Sequence, residues 1–167
     1  MIHRVTGKQE NSKMCFICGI KNRFGLYASF YETENAQLVA IFKPRQEHQG
    51  YPGRLHGGIA AAILDETIGR AVNTGKGGVW GVTLEFNIKY KKPVPLSRQV
   101  KVVARINKEN SRIFEGSGEI VLEDGTVAIE GSGRYLKMPI EKITDFDLEE
   151  NEWKVVSSEE DPEVIEI

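Results

Sequence analysis

Apolar and polar positions alternate in several short runs of this chain, and in one place the apolar positions run almost without a break. Val82, Leu84, Phe86, Ile88 and Tyr90 alternate with Thr83, Glu85, Asn87 and Lys89, the period-two pattern of a half-buried strand. Val100, Val102, Ala104 and Ile106 repeat it before a turn at Asn107 to Ser111. Ile113 to Leu122 and Thr126 to Lys137 flank Asp124-Gly125 and predict a hairpin. Upstream, Gly25 to Glu32 and Ala36 to Lys43 flank Thr33-Glu34-Asn35 and predict another. Residues 44–55, with Pro44, Gly50, Pro52 and Gly53, read as a loop.

The unbroken stretch is different. Gly57 to Val72 predicts a helix, closed by Asn73-Thr74-Gly75, and Ile59 to Leu64 make it apolar nearly all round. Such a helix must be wrapped by something. The order strand, strand, helix, four strands gives an α+β fold, one central apolar helix inside a curled antiparallel sheet.

The 167 residues fit one domain, and 40% hydrophobic with 28% charged residues is ordinary for a globular chain. No stretch predicts a membrane span or a secretory signal, so a cytoplasmic protein is expected. The net charge of −2 hides an asymmetry. Residues 141–167 carry 11 acids and 2 bases, net −9, against 20 bases and 13 acids in residues 1–140, net +7. A mildly basic body suits an anionic small molecule; its bases are too dispersed for nucleic acid. Three segments are therefore expected: an extension at 1–13, a domain at 14–138, and an acidic tail at 139–167, loosely packed or partly helical, docking weakly through its few apolar residues.

Candidate chemistry centres on Leu55-His56-Gly57-Gly58-Ile59-Ala60-Ala61-Ala62-Ile63-Leu64-Asp65-Glu66. A carboxylate within an apolar helix needs a partner or a task. Gly57 and Gly58 at the helix start leave backbone N–H groups at the positive dipole end, where an oxyanion could rest. Asp65 is favoured over Glu66, which points about 100° away round the helix. His56 suits either a cap or proton transfer. Gly58 and Asp65 lie about 10 Å apart along one helix, too far to serve one carbonyl, so two antiparallel helices would have to share the site.

Gly53 to Asp65, the strand Val82 to Pro93 and the element order resemble the hotdog-fold acyl-CoA thioesterases of the 4-hydroxybenzoyl-CoA thioesterase superfamily, in the PaaI-like (phenylacetate-pathway) branch. Cys15-Phe16-Ile17-Cys18-Gly19 with Asn22 and Gly25-Leu26 resembles the N-terminal segment of one subgroup. The resemblance implies a homodimer, often doubled to a tetramer, with Asp65 as base or nucleophile and the Gly57 N–H polarising the thioester carbonyl. It implies that Thr83 positions water. Some relatives carry Asn six residues before His56, where this chain has Gly50; Gln49 and His48 are the candidates to replace it. Lys89, Tyr90, Lys91 and Lys92, with Lys108 and Arg112, would bind coenzyme A phosphates.

Neither metal nor redox cofactor is expected. Cys15 and Cys18 form one CxxC, short of the four ligands of a structural zinc site, and read best as two buried thiols. Two other functions stay open: a non-catalytic acyl-CoA sensor, and a hotdog acyl-thioester dehydratase or hydratase.

Overall fold

The computed structural model describes residues 1–167. Its elements are β1 (Ile2–Lys8), β2 (Ser29–Thr33), β3 (Leu38–Phe42), helix α1 (Gly57–Arg70), β4 (Trp80–Tyr90), β5 (Val100–Glu109), β6 (Ile113–Val121), β7 (Val127–Met138) and β8 (Val164–Glu166). A 3₁₀ turn, Ala71–Asn73, ends the helix, where a continuous helix to Val72 was expected. Eight strands form one sheet in the order β4-β7-β6-β5-β3-β2-β1-β8, each pair antiparallel. The sheet curls round α1, whose Ala60, Ile63, Leu64, Thr67 and Ile68 are buried. No helix is long and apolar enough to cross a membrane.

Glycine lets the helix approach this closely. Gly116 faces Gly133 and Gly118 faces Gly131 across β6 and β7, with Ser117 opposite Ser132 between them. A Cβ at Gly116 would lie 2.7 Å from Ile68 Cγ2, and one at Gly131 2.6 Å from Leu64 Cδ2. The helix's Leu64 and Ile68 occupy the space that side chains at residues 116, 118 and 131 would fill, and the Tyr135 ring fills that at Gly133. At the edge, Gly81 of β4 meets the helix backbone itself: its Cβ would stand 2.7 Å from Gly69 O and 2.6 Å from the Phe114 ring.

The expected hairpin forms over a shorter span. Gly25 to Ala28 leave the strand because Leu26 and Ala28 donate instead to Phe16 O and Ile17 O, both at 2.9 Å.

The chain's two terminal segments differ most from expectation. Residues 2–8 are a strand of the sheet, with a register shift between Val5 and Gly7 against β2. The acidic segment is not a loose appendage. It bridges Asn11 through Lys154, then pairs β8 with β1. Ile165 is buried with Tyr31, Val39, Val103 and Val121. Lys8 Nζ meets Asp161 Oδ1 at 2.6 Å, and Tyr31 O–H donates to the same oxygen at 2.8 Å. Burial and this carboxylate push Tyr31 up to about 12. Complementary charge, +7 against −9, explains why so acidic a segment folds back on this body.

Two outcomes follow from this packing. Gly81→Ala should destabilise by about 1–3 kcal/mol, read as a lower denaturant midpoint at unchanged slope, because the added methyl meets helix backbone as well as the buried Phe114 ring. Deleting residues 140–167 should lower the thermal midpoint by roughly 5 °C or more: burying an Ile such as Ile165 is worth about 1.5–3 kcal/mol, and about 1 kcal/mol shifts a chain of this size by about 2–4 °C.

Candidate active site

The start of α1 is held by its own cap and by the loop before it. His56 is the N-cap, and its Nδ1 accepts from the Gly58 N–H at 3.0 Å. His56 O takes the N–H groups of Ile59 and Ala60, both at 3.0 Å. The Gly57 N–H has no intrachain partner and lies at the exposed first turn. Of the two glycine donors expected, the Gly58 N–H is therefore committed to the cap and Gly57 remains. Tyr90 O–H, from the end of β4, donates to Gly57 O at 2.8 Å.

Of the two expected substitutes, the loop takes up His48 and leaves Gln49 only its exposed Nε2 amide. His48 is buried, its Nδ1 accepting from Arg45 N–H at 2.9 Å while Nε2 lies 2.8 Å from Phe24 O. That pairing fixes a neutral tautomer with the proton on Nε2. Gln49 Oε1 accepts from Gly53 N–H at 2.9 Å. Both side chains hold the loop.

Two turns further along α1, Asp65 meets two hydroxyl donors. Thr83 Oγ1 lies 3.0 Å from Oδ1 and 3.1 Å from Oδ2, and Tyr135 O–H donates to Oδ1 at 3.0 Å. Strict alternation along β4 would put Thr83 on the face away from the helix. A register shift between Thr83 and Glu85 against β7 leaves Leu84 as an extra residue. Gly81 and Thr83 consequently face inward before the bulge, and Phe86 and Ile88 after it. Bulges commonly re-aim a side chain in this way.

Asp65 has no cation partner. Burial pushes its carboxyl above the ordinary value, against the pull of the Tyr135 and Thr83 hydrogen bonds, and Glu66 adds to the rise. Tyr135 is itself pushed up, by burial and by the Asp65 charge, so it stays a donor. The neighbouring acid is quite different. Glu66 Oε1 is 2.7 Å from Arg70 Nε. Arg70 is buried, donates to Glu10 O at 2.9 Å, and lies under the rings of Phe30, Trp80 and Trp153 at 4.4, 5.2 and 5.5 Å. Glu66 is thus ion-paired, whereas Asp65 faces neutral donors only. A cavity of about 320 Å³ opens beside it, walled by Trp80, Val82, Ile140, Ile143 and Trp153 among others.

The expected coenzyme A residues do not come together within one chain. Lys89 pairs in register with Glu130 at one end of β4, whereas Arg112, beside the β5–β6 turn, is level with Val82 at the other and Lys108 is level with Glu85. Seven residues of strand separate Lys89 from the level of Arg112, about 23 Å, and four from that of Lys108, about 13 Å. Tyr90 is spent on Gly57, and Lys91 is ion-paired to Glu130. Lys89, Lys92, Lys108 and Arg112 are exposed.

Sequence reasoning overlooked Tyr135, Arg70 and Trp153. Arg70 alone left a signal, as a base four residues after Glu66 on an otherwise apolar helix. Cys15, Cys18 and Glu66 place ligand atoms within 4.8 Å of one another, but the cation among them is Arg70, whose Nη2 lies 3.3 Å from Cys18 Sγ. Cys18 is buried and Cys15 only half so, where two buried thiols were expected.

The chain is also similar to known proteins. Residues 52–129 fit the family model described as thioesterase superfamily. The acyl-coenzyme A thioesterase THEM4 of Mus musculus is 33% identical over 118 residues, covering 70% of this chain and 50% of that protein. The chain thus spans about half the length of the curated relatives it matches first. Thioesterase HI1161 from Haemophilus influenzae superposes with a TM-score of 0.65 at 18% identity, over 74% of this chain and 86% of that one. The E. coli PaaI protein of the phenylacetic acid degradation operon gives 0.61 at 15% identity, over 68% and 80%. The two solved structures share the fold, a sheet wrapped round one helix.

The raised Asp65 carboxyl has a measurable sign. A carboxyl raised on folding favours the folded state below its ordinary value and loses that contribution as pH rises through the folded value. Asp65→Asn should therefore gain stability relative to the wild type as pH rises above the ordinary Asp value of 3.8, as followed by denaturant unfolding. A relative loss over the same rise would mean the carboxylate is favourably paired.

Proposed function

The chain carries a hotdog domain of the thioesterase superfamily, and on that premise we propose that it hydrolyses acyl-coenzyme A thioesters with Asp65 as general base. One observation carries the proposal: a half-buried carboxylate with no cation, aimed by Thr83 and Tyr135, lines a cavity with one aromatic and aliphatic side, while its neighbour Glu66 is ion-paired. The His-Gly-Gly start with an acid nine residues after the His favours the PaaI-like branch.

The second half of the site comes from another copy. Gly57 and Asp65 are eight residues apart on one helix, about 12 Å. Strand β4 is at the sheet edge and offers its unpaired side to a partner. Thr83 marks Asp65 along this strand and Tyr90 marks Gly57. Antiparallel self-pairing of β4 about the Phe86–Asn87 peptide exchanges the two marks, setting Asp65 near the partner subunit's Gly57. The same two-fold brings the lysines at 89, 91 and 92 of the partner subunit to the end of the sheet where Lys108 and Arg112 lie. Basic groups scattered in one chain thereby converge on the phosphates of one coenzyme A.

In this site the thioester oxygen accepts from the partner's Gly57 N–H as charge builds on it. Asp65 takes a proton from water, whose oxygen attacks the carbonyl carbon. Asp65 Oδ1 is occupied by both hydroxyls, so Oδ2, bonded to Thr83 alone, is the oxygen that faces water. Collapse of the tetrahedral intermediate breaks the C–S bond, and the proton on Asp65 passes to the departing sulfur. Water, carboxylate and N–H supply every step, so no metal or redox cofactor is required. The commitment of His56 Nδ1 to the cap, with no acid beside that ring, argues against a His–acid dehydratase.

Thiol release from short, long and aromatic acyl-CoAs tests the activity and ranks substrates; occupancy without release would instead identify a sensor. Asp65→Asn should lower turnover by roughly 10²–10⁴-fold, with the fold intact by circular dichroism. Gly57→Pro removes one N–H at a helix position that tolerates proline, and should be similarly inactive. Mixing the two variants should restore activity, because one site of each heterodimer is then undamaged. No recovery after verified subunit exchange would mean that each site lies within a single chain.

A further inference from the structure

Cys15-Phe16-Ile17-Cys18-Gly19 takes no part in the chemistry above, yet its two sulfurs are not simply packed away. The segment closes in a turn, Gly19 N–H donating to Cys15 O at 2.8 Å. The closure is tight, since a Cβ at residue 19 would lie 2.3 Å from that oxygen. It folds the Ile17 N–H onto Cys15 Sγ at 3.3 Å and brings the Cys18 sulfur within 4.8 Å of it, with Ser12 Oγ 3.9 Å from the Cys18 thiol. Ser12 Oγ supports the turn from below, accepting from Cys15 N–H at 3.1 Å. Asn11 Nδ2 fixes Cys18 O at 2.9 Å.

The result is an asymmetric pair. Hydrogen bonding from Cys18 outweighs burial and the Glu66 charge and brings Cys15 down to about 6, so this half-buried thiol is a thiolate at neutral pH. Holding that bond, and burial, push Cys18 up, so it keeps its proton although Arg70 lies 3.3 Å away. The geometry has three features of a reactive dithiol: a half-buried Cys15 sulfur, a second, buried thiol within 4.8 Å of it, and a guanidinium beside that second thiol.

We propose that Cys15 and Cys18 form a redox-active dithiol, oxidised to an intramolecular disulfide by low-molecular-weight disulfides, with Cys15 as the attacking sulfur and Cys18 as the resolving one. The Cys15 thiolate attacks one sulfur of RS–SR, making a mixed disulfide and expelling RS⁻. Cys18 then passes its proton to this RS⁻, giving RSH. Capping Cys15 has removed the negative neighbour that kept Cys18 protonated, and Arg70 stabilises the new thiolate. Cys18 Sγ attacks Cys15 Sγ and expels the second RS⁻. Two electrons leave the pair, and one disulfide is reduced to two thiols.

Intact-mass analysis of the reduced full chain after incubation with oxidised glutathione tests this directly and needs no catalytic assay. The wild type should lose about two mass units and both alkylatable thiols. Cys18→Ser should stop at one glutathione adduct on Cys15, and Cys15→Ser should take up none. In the untreated wild type, iodoacetamide labelling of Cys15 should rise with pH about a midpoint near 6. Retention of two alkylatable thiols by the wild type, under conditions that oxidise dithiothreitol, would overturn the proposal. A wild-type glutathione adduct that never resolves would overturn the role of Cys18.

Discussion

The closeness of one helix to one sheet sets everything else in this molecule. Side chains on both surfaces would hold their backbones apart, and at Gly69 and Gly81 neither surface has one. Backbone meets backbone there, four residues along the helix from Asp65 and two along the strand from Thr83. That proximity lets two short groups, a carboxylate and a threonine hydroxyl, reach each other at 3.0 Å. The glycine ladder of β6 and β7 does the same for the helix's buried leucine and isoleucine side chains, so the core is filled from the helix outward.

Adjacent acids on α1 are treated in opposite ways. Glu66 is given a buried guanidinium, itself stacked among three aromatic rings. Asp65 is given only neutral donors. A carboxylate kept from water without a counter-charge is poorly stabilised as an anion and correspondingly ready to take a proton. The helix thus carries one silenced acid and one poised acid in consecutive positions, and the difference arises wholly from what packs against each.

Much of this was legible in the sequence, and the failures are physically specific. Alternation from Val82 to Tyr90 located β4 but could not show that one residue, Leu84, would be squeezed out of the ladder. A period-two pattern contains no mark for a bulge when the residue on either side is compatible with both faces. The helix, its His56 cap and Asp65 were readable because capping chemistry and an acid in an apolar run are local signals. How far apart the lysines stand in one chain was not legible, because closeness in sequence or to a turn says nothing of cross-strand register, which separates Lys89 from Arg112. The acidic tail was misjudged because periodicity is the only strand signal available there, and β8 has three residues. What holds that segment is long-range: opposite charge at Lys8, and single apolar anchors at Trp153 and Ile165.

Those anchors have an optical consequence. The chain contains two tryptophans, and both belong to one cluster, Trp80 and Trp153 packed edge to face at 5.1 Å. They sit over Arg70 and wall the cavity beside Asp65. Ultraviolet emission from this protein therefore originates almost entirely in the lining of that cavity, from one wall on the sheet and one on the folded-back tail. The molecule has a native chromophore where a ligand would enter, and departure of the tail would separate its two halves. Docking of the acidic segment and filling of the cavity can thus be watched by light, without attaching a label.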